Sequence, residues 1–122
     1  MKVEISNGEL LDKISILEIK KLNMVNPDNL ANVEVEFLNL NPAFIDLLTK
    51  NGKEIRLLYL ELAKVNGILW ELENKVRGKN VTDKEFRKSS LMIFEYNEVR
   101  NQLKNDINII SGSGFKDIKE YR

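Results

Sequence analysis

The sequence contains neither cysteine nor histidine. Disulfide bonds are therefore impossible, and so is a zinc site of the common kind, which uses thiolate or imidazole ligands. Catalysis by Ser-His-Asp or Cys-His groups is excluded for the same reason. Any bound metal would have to be a hard cation held by carboxylate oxygens. From the sequence we expect no metal and no cofactor.

Long apolar runs and an excess of either charge are also missing. No segment approaches the roughly 20 apolar residues that a transmembrane helix requires, and the first residues, MKVEIS, do not resemble a signal peptide. We therefore expect a cytoplasmic protein without a membrane partner. Nineteen basic residues balance nineteen acidic ones, which argues against a nucleic-acid partner because such binding requires an excess of Lys and Arg.

What is present is a chain of 122 residues that is 43% hydrophobic and 31% charged. This balance is typical of a folded globular protein. A domain of this size buries about two thirds of the surface that its unfolded chain exposes. We therefore expect a single domain over 1–122, with its own core and a flexible or extended tail over 112–122.

A helix start signal occurs four times. Two instances are capping boxes, in which a Ser or Thr caps the helix and a Glu three residues later reaches back. The other two are an Asn cap followed by Pro at the first helical position. The signals are Ser6 with Glu9, Thr82 with Glu85, Asn26 with Pro27, and Asn41 with Pro42. They predict an all-α protein with helices over 7–24, 27–39, 42–50, 53–77 and 83–110.

The two longest predicted helices each carry an apolar seam. In the first, apolar residues from Ile55 to Val76 alternate at spacings of three and four, and the last helix shows the same spacing from Ile93 to Ile110. Two such helices joined by a short loop at 78–81 predict an antiparallel hairpin within a helical bundle. The spacing also fits a coiled coil between chains, so both arrangements remain open.

The first predicted helix is apolar on two sides. Leu10, Leu11, Ile14 and Leu17 share one broad face, whereas Ile16 and Ile19 lie nearly opposite. A small domain cannot easily surround such a helix, which favours a homo-oligomer, most simply a dimer, with Ile16 and Ile19 near the contact. The alternative is that the second helix or the C-terminal tail covers this side.

The chain ends allow two interpretations. Val3 and Ile5 alternate with polar residues and could pair with the tail FKDIKEYR as a minor two-stranded β ribbon. Phe115, Ile118 and Tyr121 are spaced by three, which fits a helical tail instead.

Several polar residues fall within or beside the apolar seams. They are Glu18, Asn66, Trp70, Glu73, Asn97 and Arg100. A charge inside a packed bundle must be paired, and the expected partner of Arg100 is Glu18 or Glu73, since a guanidinium binds a carboxylate through two parallel hydrogen bonds. This set is either a buried network that sets helix register or a ligand-binding pocket.

Other charged residues of the first helix are predicted to lie on the surface. Glu9 and Lys13 are spaced i,i+4, which is typical of an exposed ion pair. Asp12, Lys20 and Lys21 are predicted to be solvated, with Lys21 extending over the apolar face.

Three stretches, SNGELLDKISILEIK, VNGILWELE and NEVRNQLKNDIN, resemble in this order a family of small uncharacterised helical proteins from bacteria and phages. Typical members have a Ser-x-Gly-Glu-Leu-x-Asp-Lys helix that continues into Ile-Leu-Glu-x-Lys, then Val-Asn-x-x-Leu-Trp-x-x-Glu and Asn-(Asp/Glu)-x-Arg. The resemblance covers nearly the whole chain except 33–52. The matching positions are Ser6, Gly8, Glu9, Leu10, Asp12, Lys13, Ile16, Leu17, Glu18, Lys20, Asn66, Leu69, Trp70, Glu73, Asn97 and Arg100. The resemblance implies a phage or bacterial accessory protein, in the host cytoplasm if phage-encoded.

Together these features favour a non-enzymatic, self-associating helical-bundle protein with a host or accessory protein as partner. The alternative is a small-ligand-binding protein or a metal-dependent all-α enzyme with a polar pocket around Trp70 and Arg100. Two helical enzyme classes fit poorly, because the first helix lacks the Arg of chorismate mutases and the chain lacks the Glu-Glu-x-x-Glu motif of nucleotide pyrophosphatases. A basic stripe of Lys20, Lys21 and 84–88 leaves nucleic-acid binding as a third, disfavoured hypothesis.

Overall fold

The structure, a computed structural model, describes residues 4–112. In this range the secondary structure consists of three helices, α1 (Asn7–Asn23), α2 (Pro27–Val76) and α3 (Asp83–Ser111), and contains no strand. Each helix packs against the other two, which confirms the all-α prediction. None of these helices has the length and apolar character needed to cross a membrane. The tail predictions, and Val3 of the predicted ribbon, fall outside the described range.

Three of the four predicted helix starts are confirmed. The hydroxyl of Ser6 accepts a hydrogen bond from the backbone N–H of Glu9 at 3.1 Å. The side chain of Asn26 caps α2 by accepting from two backbone N–H groups, at 2.9 and 3.1 Å. Thr82 and Glu85 form the complete reciprocal box at the start of α3. Local sequence signals are sufficient at these positions because each donor and acceptor lies within one turn.

The fourth predicted start, at Asn41 and Pro42, is wrong because α2 continues through Pro42. Proline inside a helix removes one backbone hydrogen bond and costs about 3 kcal/mol. The loss is offset by apolar side chains on both sides of Pro42 that occupy one face and pack on the core. These side chains are Phe37, Leu40, Phe44 and Leu48.

A glycine interrupts α2 where the sequence predicted a helix end. Gly52 has φ 71° and ψ −148°, a backbone conformation that is essentially restricted to glycine. It divides α2 into an N-terminal segment, 27–51, and a C-terminal segment, 53–76. The chain folds back at this point, since the rings of Phe44 and Tyr59 lie 5.1 Å apart between centroids.

The core lies where the three helices meet. The predicted seams are largely confirmed, although Ile110 at the end of α3 is 42% exposed. The core consists of Leu10, Leu11, Ile14, Leu47, Ile55, Tyr59, Leu62, Val65, Leu69, Leu103 and Ile107. Burying each of these large side chains contributes about 1.5–3 kcal/mol, so the apolar seams, rather than the polar groups, supply most of the stabilisation.

The second apolar side of α1 is only partly covered. Ile16 and Ile19 are both partly exposed. The N-terminal segment of α2 lies beside the end of α1, because the ammonium of Lys21 is 3.5 Å from the carboxylate of Glu34 and 4.3 Å from the ring centroid of Phe37. An oligomer contact at Ile16 and Ile19 stays a prediction.

Candidate functional site

The polar centre of the molecule is a buried carboxylate on α1. Asp12 is 1% exposed, so the prediction that it is solvated is wrong. Gly8 and Ser15 lie one turn before and after it on the same side of α1, and both are buried. Because these residues are small, the neighbouring helices approach α1 closely here and enclose Asp12.

Arg100 on α3 binds this carboxylate through two hydrogen bonds. Its Nε donates to Asp12 Oδ1 at 2.9 Å and its Nη2 donates to Asp12 Oδ2 at 2.6 Å. Its Nη1 donates to the side-chain oxygen of Asn97 at 3.3 Å. The prediction that Glu18 or Glu73 pairs with Arg100 is therefore wrong, since the closer carboxylate already occupies the guanidinium.

Asn66 connects α2 to the same carboxylate. Its amide nitrogen donates to Asp12 Oδ1 at 2.9 Å and to the hydroxyl oxygen of Ser15 at 2.6 Å. The Ser15 hydroxyl in turn donates to the backbone carbonyl of Asp12 at 2.8 Å. All three helices thus meet at one set of hydrogen bonds.

Lys104 completes the charge balance. Its ammonium lies 2.9 Å from a carboxylate oxygen of Glu9 and 3.8 Å from Asp12 Oδ2. Glu9 therefore pairs across to α3 and not with Lys13, contrary to prediction, because α3 runs alongside the first turns of α1. We call Glu9, Asp12, Ser15, Asn66, Asn97, Arg100 and Lys104 the Asp12 cluster.

Opposing influences act on the pKa of Asp12. Burial is the largest and raises the pKa, because it disfavours the charged form. Hydrogen bonds from Arg100 and Asn66, together with the positive charges of Arg100 and Lys104, outweigh it, so the pKa of Asp12 lies below its usual 3.8. The hydrogen bond to Asp12 raises the pKa of Arg100. Asp12 and Arg100 therefore remain an ion pair near neutral pH, and Asp12 is a poor proton donor or acceptor there.

The other predicted residues divide between this cluster and different surroundings. Asn66, Asn97 and Arg100 belong to the cluster, and Glu73 is close enough for its charge to raise the pKa of Arg100. Glu18 instead accepts a hydrogen bond from the hydroxyl of Tyr59. The pKa of Tyr59 is raised, first by burial and then by Glu18.

Trp70 does not join the cluster through its polar atom. It is partly buried on the C-terminal segment of α2. Among residues 4–112, its indole N–H makes no side-chain hydrogen bond with any member of the cluster. Trp70 is not among the residues that line the groove beside Arg100, and a pocket around both residues stays a prediction.

A groove of about 260 Å³ lies over the cluster. Its lining combines three acidic side chains, three basic ones and two apolar ones: Glu9, Asp12, Glu36, Lys13, Lys20, Arg100, Ile16 and Leu17. Three of the donors of Arg100 are directed to Asp12 and Asn97. Within the described part of the chain, no group of three or more carboxylates is arranged to hold a metal ion.

Sequence reasoning missed Glu9, Asp12, Ser15 and Lys104 as members of the cluster. A usable signal was present on α1, where Gly8, Asp12 and Ser15 follow one another at spacings of four and three. Such a stripe of small and polar residues marks a helix face that another helix can approach closely. Periodicity of the apolar residues alone does not detect it.

Comparisons with known proteins assign neither a family nor a function to this chain. No family model, curated protein or solved structure matches this chain. The family resemblance drawn from the sequence motifs therefore stays a prediction.

Proposed function

We propose that this protein acts by binding other proteins, including further copies of itself, and not by catalysis. The observation that carries the proposal is the extent of exposed apolar surface. Fourteen large hydrophobic side chains are exposed in the described range, and they include Val25 at 90%, Leu22 at 86%, Phe94 at 63% and Leu60 at 62%. Contiguous exposed apolar patches mark interaction surfaces, and several members of this set follow one another at helical spacing on α2.

The Asp12 cluster supports a structural rather than a catalytic role for the polar centre. Its charged members are paired with one another, and the Asp12 carboxylate at its centre is buried. A buried, paired network of this kind can set the register of packed helices. Catalysis would instead require an ionisable group free to exchange a proton or attack a substrate.

The finer architecture belongs to this proposal. We infer that the C-terminal segment of α2 and α3 form the antiparallel hairpin expected from their seams. The ammonium of Lys75 and the carboxylate of Glu85 lie 3.7 Å apart beside the short connection between the helices, which supports this arrangement. A role as a bacterial or phage accessory protein follows only from the motif resemblance.

Self-association is tested by measuring the solution mass over a range of concentrations by light scattering. We expect a mass above the 14.2 kDa of one chain, falling toward that value on dilution, because burial of exposed apolar side chains favours association. A mass of one chain at every concentration would contradict self-association. Addition of moderate salt should leave the mass nearly unchanged, since apolar contacts are not screened.

A second candidate function is the binding of a small anion in the groove over the Asp12 cluster. The supporting observation is that Lys13 and Lys20 line this groove together with the apolar residues Ile16 and Leu17. Succinate serves as the probe, and we expect it to change the backbone amide NMR signals of 13–20 in the wild type. The double variant Lys13→Ala, Lys20→Ala should lose this response. Unchanged signals in the wild type would exclude succinate-like anions from the groove.

A further inference from the structure

The N-terminal segment of α2 has two apolar faces, of which only one is buried. Its inner face packs on the core through Phe37, Leu40, Phe44 and Leu47. The opposite face is exposed, with Val35 at 59%, Leu38 at 60% and Ile45 at 52%. We call the exposed residues Ala31, Val35, Leu38, Pro42 and Ile45 the outer stripe.

The spacing of the outer stripe is that of a helix that pairs with another helix. Its members follow one another at intervals of four, three, four and three residues, and Thr49 extends the pattern by four. This is the heptad spacing that keeps one face of a helix against a partner helix. No part of residues 4–112 covers the stripe, because its three largest members remain more than half exposed.

The pattern is also symmetric about position 40. If two copies of the segment pack antiparallel about this point, Leu38 faces Pro42 of the second copy. Val35 then faces Ile45, and Ala31 faces Thr49, so every stripe residue meets an uncharged one. A twofold contact of this kind requires a self-complementary surface, which the outer stripe provides.

The polar residues beside the stripe fit the same pairing. Asn39 and Asn41 flank its centre and would each lie next to the same residue of the second copy. An Asn amide both donates and accepts hydrogen bonds, so each pair can be satisfied without a charge. Asp46 lies on the same flank as Asn39 and would lie next to Asn32 of the second copy, whereas Glu34 lies on the flank of Asn41, so the two carboxylates do not face each other.

We propose that a second copy of this chain docks antiparallel on the outer stripe, with Leu38 and Pro42 at the centre of the contact. The inference rests on the proposed function, since it specifies where and how self-association occurs. A second copy is favoured over an unrelated charged partner because the stripe and its central flanks carry no charge to recognise one. A single pair of helices buries less than the roughly 800 Å² per partner of a standard interface, so the dimer should dissociate reversibly on dilution.

The substitution Leu38→Glu tests the contact. It places a carboxylate at the centre of the apolar interface in both copies. If each carboxylate lowers the association constant of the dimer about tenfold, the two together lower it about a hundredfold. Asn101→Glu is the control, because Asn101 is an exposed polar residue of α3 that lies outside the stripe and outside the exposed apolar set. Sedimentation equilibrium should show a monomer for Leu38→Glu and an unchanged dimer for Asn101→Glu. Circular dichroism checks that both variants stay helical.

Orientation is tested by introduced cysteines, for which the chain has no native background. In the antiparallel contact, Asn39→Cys places two thiols near the twofold axis, whereas Asn32→Cys places them far apart. Mild oxidation should therefore cross-link the Asn39→Cys variant and leave the Asn32→Cys variant monomeric on a non-reducing gel. Equal cross-linking of both variants would overturn the antiparallel arrangement.

The outcomes separate the two proposals. A wild-type chain that is monomeric at all concentrations overturns self-association itself. A wild-type dimer that persists in Leu38→Glu overturns the docking site and leaves self-association intact. Loss of the dimer in Leu38→Glu alone, together with selective cross-linking at position 39, supports both.

Discussion

Replacing Asp12 with alanine is expected to lower the free energy of unfolding by about 3–5 kcal/mol, the range observed when one partner of a buried ion pair is removed. The substitution removes the carboxylate that faces Arg100 and Lys104. The side chains of these two residues are 27% and 15% exposed, so both charges are left partly buried. It also removes the acceptor of a buried Asn66 amide. Urea denaturation followed by circular dichroism measures the change.

A matched control distinguishes the effect of removing a buried carboxylate from the effect of removing a negative charge at the surface. Asp46 pairs with Lys50 at 3.2 Å, but its side chain is 62% exposed. Because solvent screens such a surface pair, Asp46→Ala should change the free energy of unfolding by less than about 0.5 kcal/mol. Similar effects of Asp12→Ala and Asp46→Ala would show that the cluster does not depend on a buried carboxylate.

The same carboxylate predicts a dependence of stability on pH. The pKa of Asp12 in the folded chain is lowered below 3.8, whereas an unfolded Asp titrates near about 3.9. The stabilisation of the folded chain by ionised Asp12 is therefore fully present above the pKa of Asp12 in the unfolded chain. It is lost as the pH falls through the pKa of Asp12 in the folded chain. The wild type should lose stability relative to Asp12→Asn as the pH falls below about 4. A difference that stays constant from neutral to acidic pH would contradict this assignment.

The second large effect is expected at Gly8, where α1 meets α3. A β-carbon at this position would lie 2.9 Å from the backbone carbonyl carbon of Lys104 and 3.0 Å from the side-chain oxygen of Asn108. That oxygen accepts the backbone N–H of Gly8 at 2.7 Å, so a shift of α1 would also break this hydrogen bond. Gly8→Ala should therefore destabilise the protein by about 1–3 kcal/mol, as overpacking does in well-packed cores.

Gly67→Ala is a control for which the expected change in stability has the opposite sign. It lies within α2, and a β-carbon there would meet nothing within 4 Å. Alanine favours the helix over glycine by about 0.5–1 kcal/mol, so Gly67→Ala should raise the midpoint of thermal unfolding while Gly8→Ala lowers it. A rise for both variants would mean that α1 and α3 separate readily at position 8.

Two sets of residues show which features the sequence was able to predict. The caps at Ser6, Asn26 and Thr82 were predictable because their hydrogen bonds close within one helical turn. The buried positions Leu62 and Leu69 were predictable because apolar residues at helical spacing share one face. Both arguments use only neighbours along the chain.

The failures involve partners that are distant in sequence. Asp12 looked like a surface residue because the two side chains that donate hydrogen bonds to it, Asn66 and Arg100, lie 54 and 88 positions away. The helix start at Pro42 was wrong because burial of Phe37 and Phe44 on one face outweighed a local breaker. In each case a tertiary contact decided the outcome: whether Asp12 is buried or exposed, and whether the helix continues or begins anew at Pro42. The residues nearby in sequence leave the two outcomes close in energy.

The sequence alone therefore determined the all-α class, the caps and most of the apolar core, since these follow from interactions within a few turns of the same helix. Only the tertiary structure decided which carboxylate Arg100 binds and which face of 27–51 stays exposed. The physical reason is that helical periodicity assigns residues to faces but does not specify which other helix lies against each face.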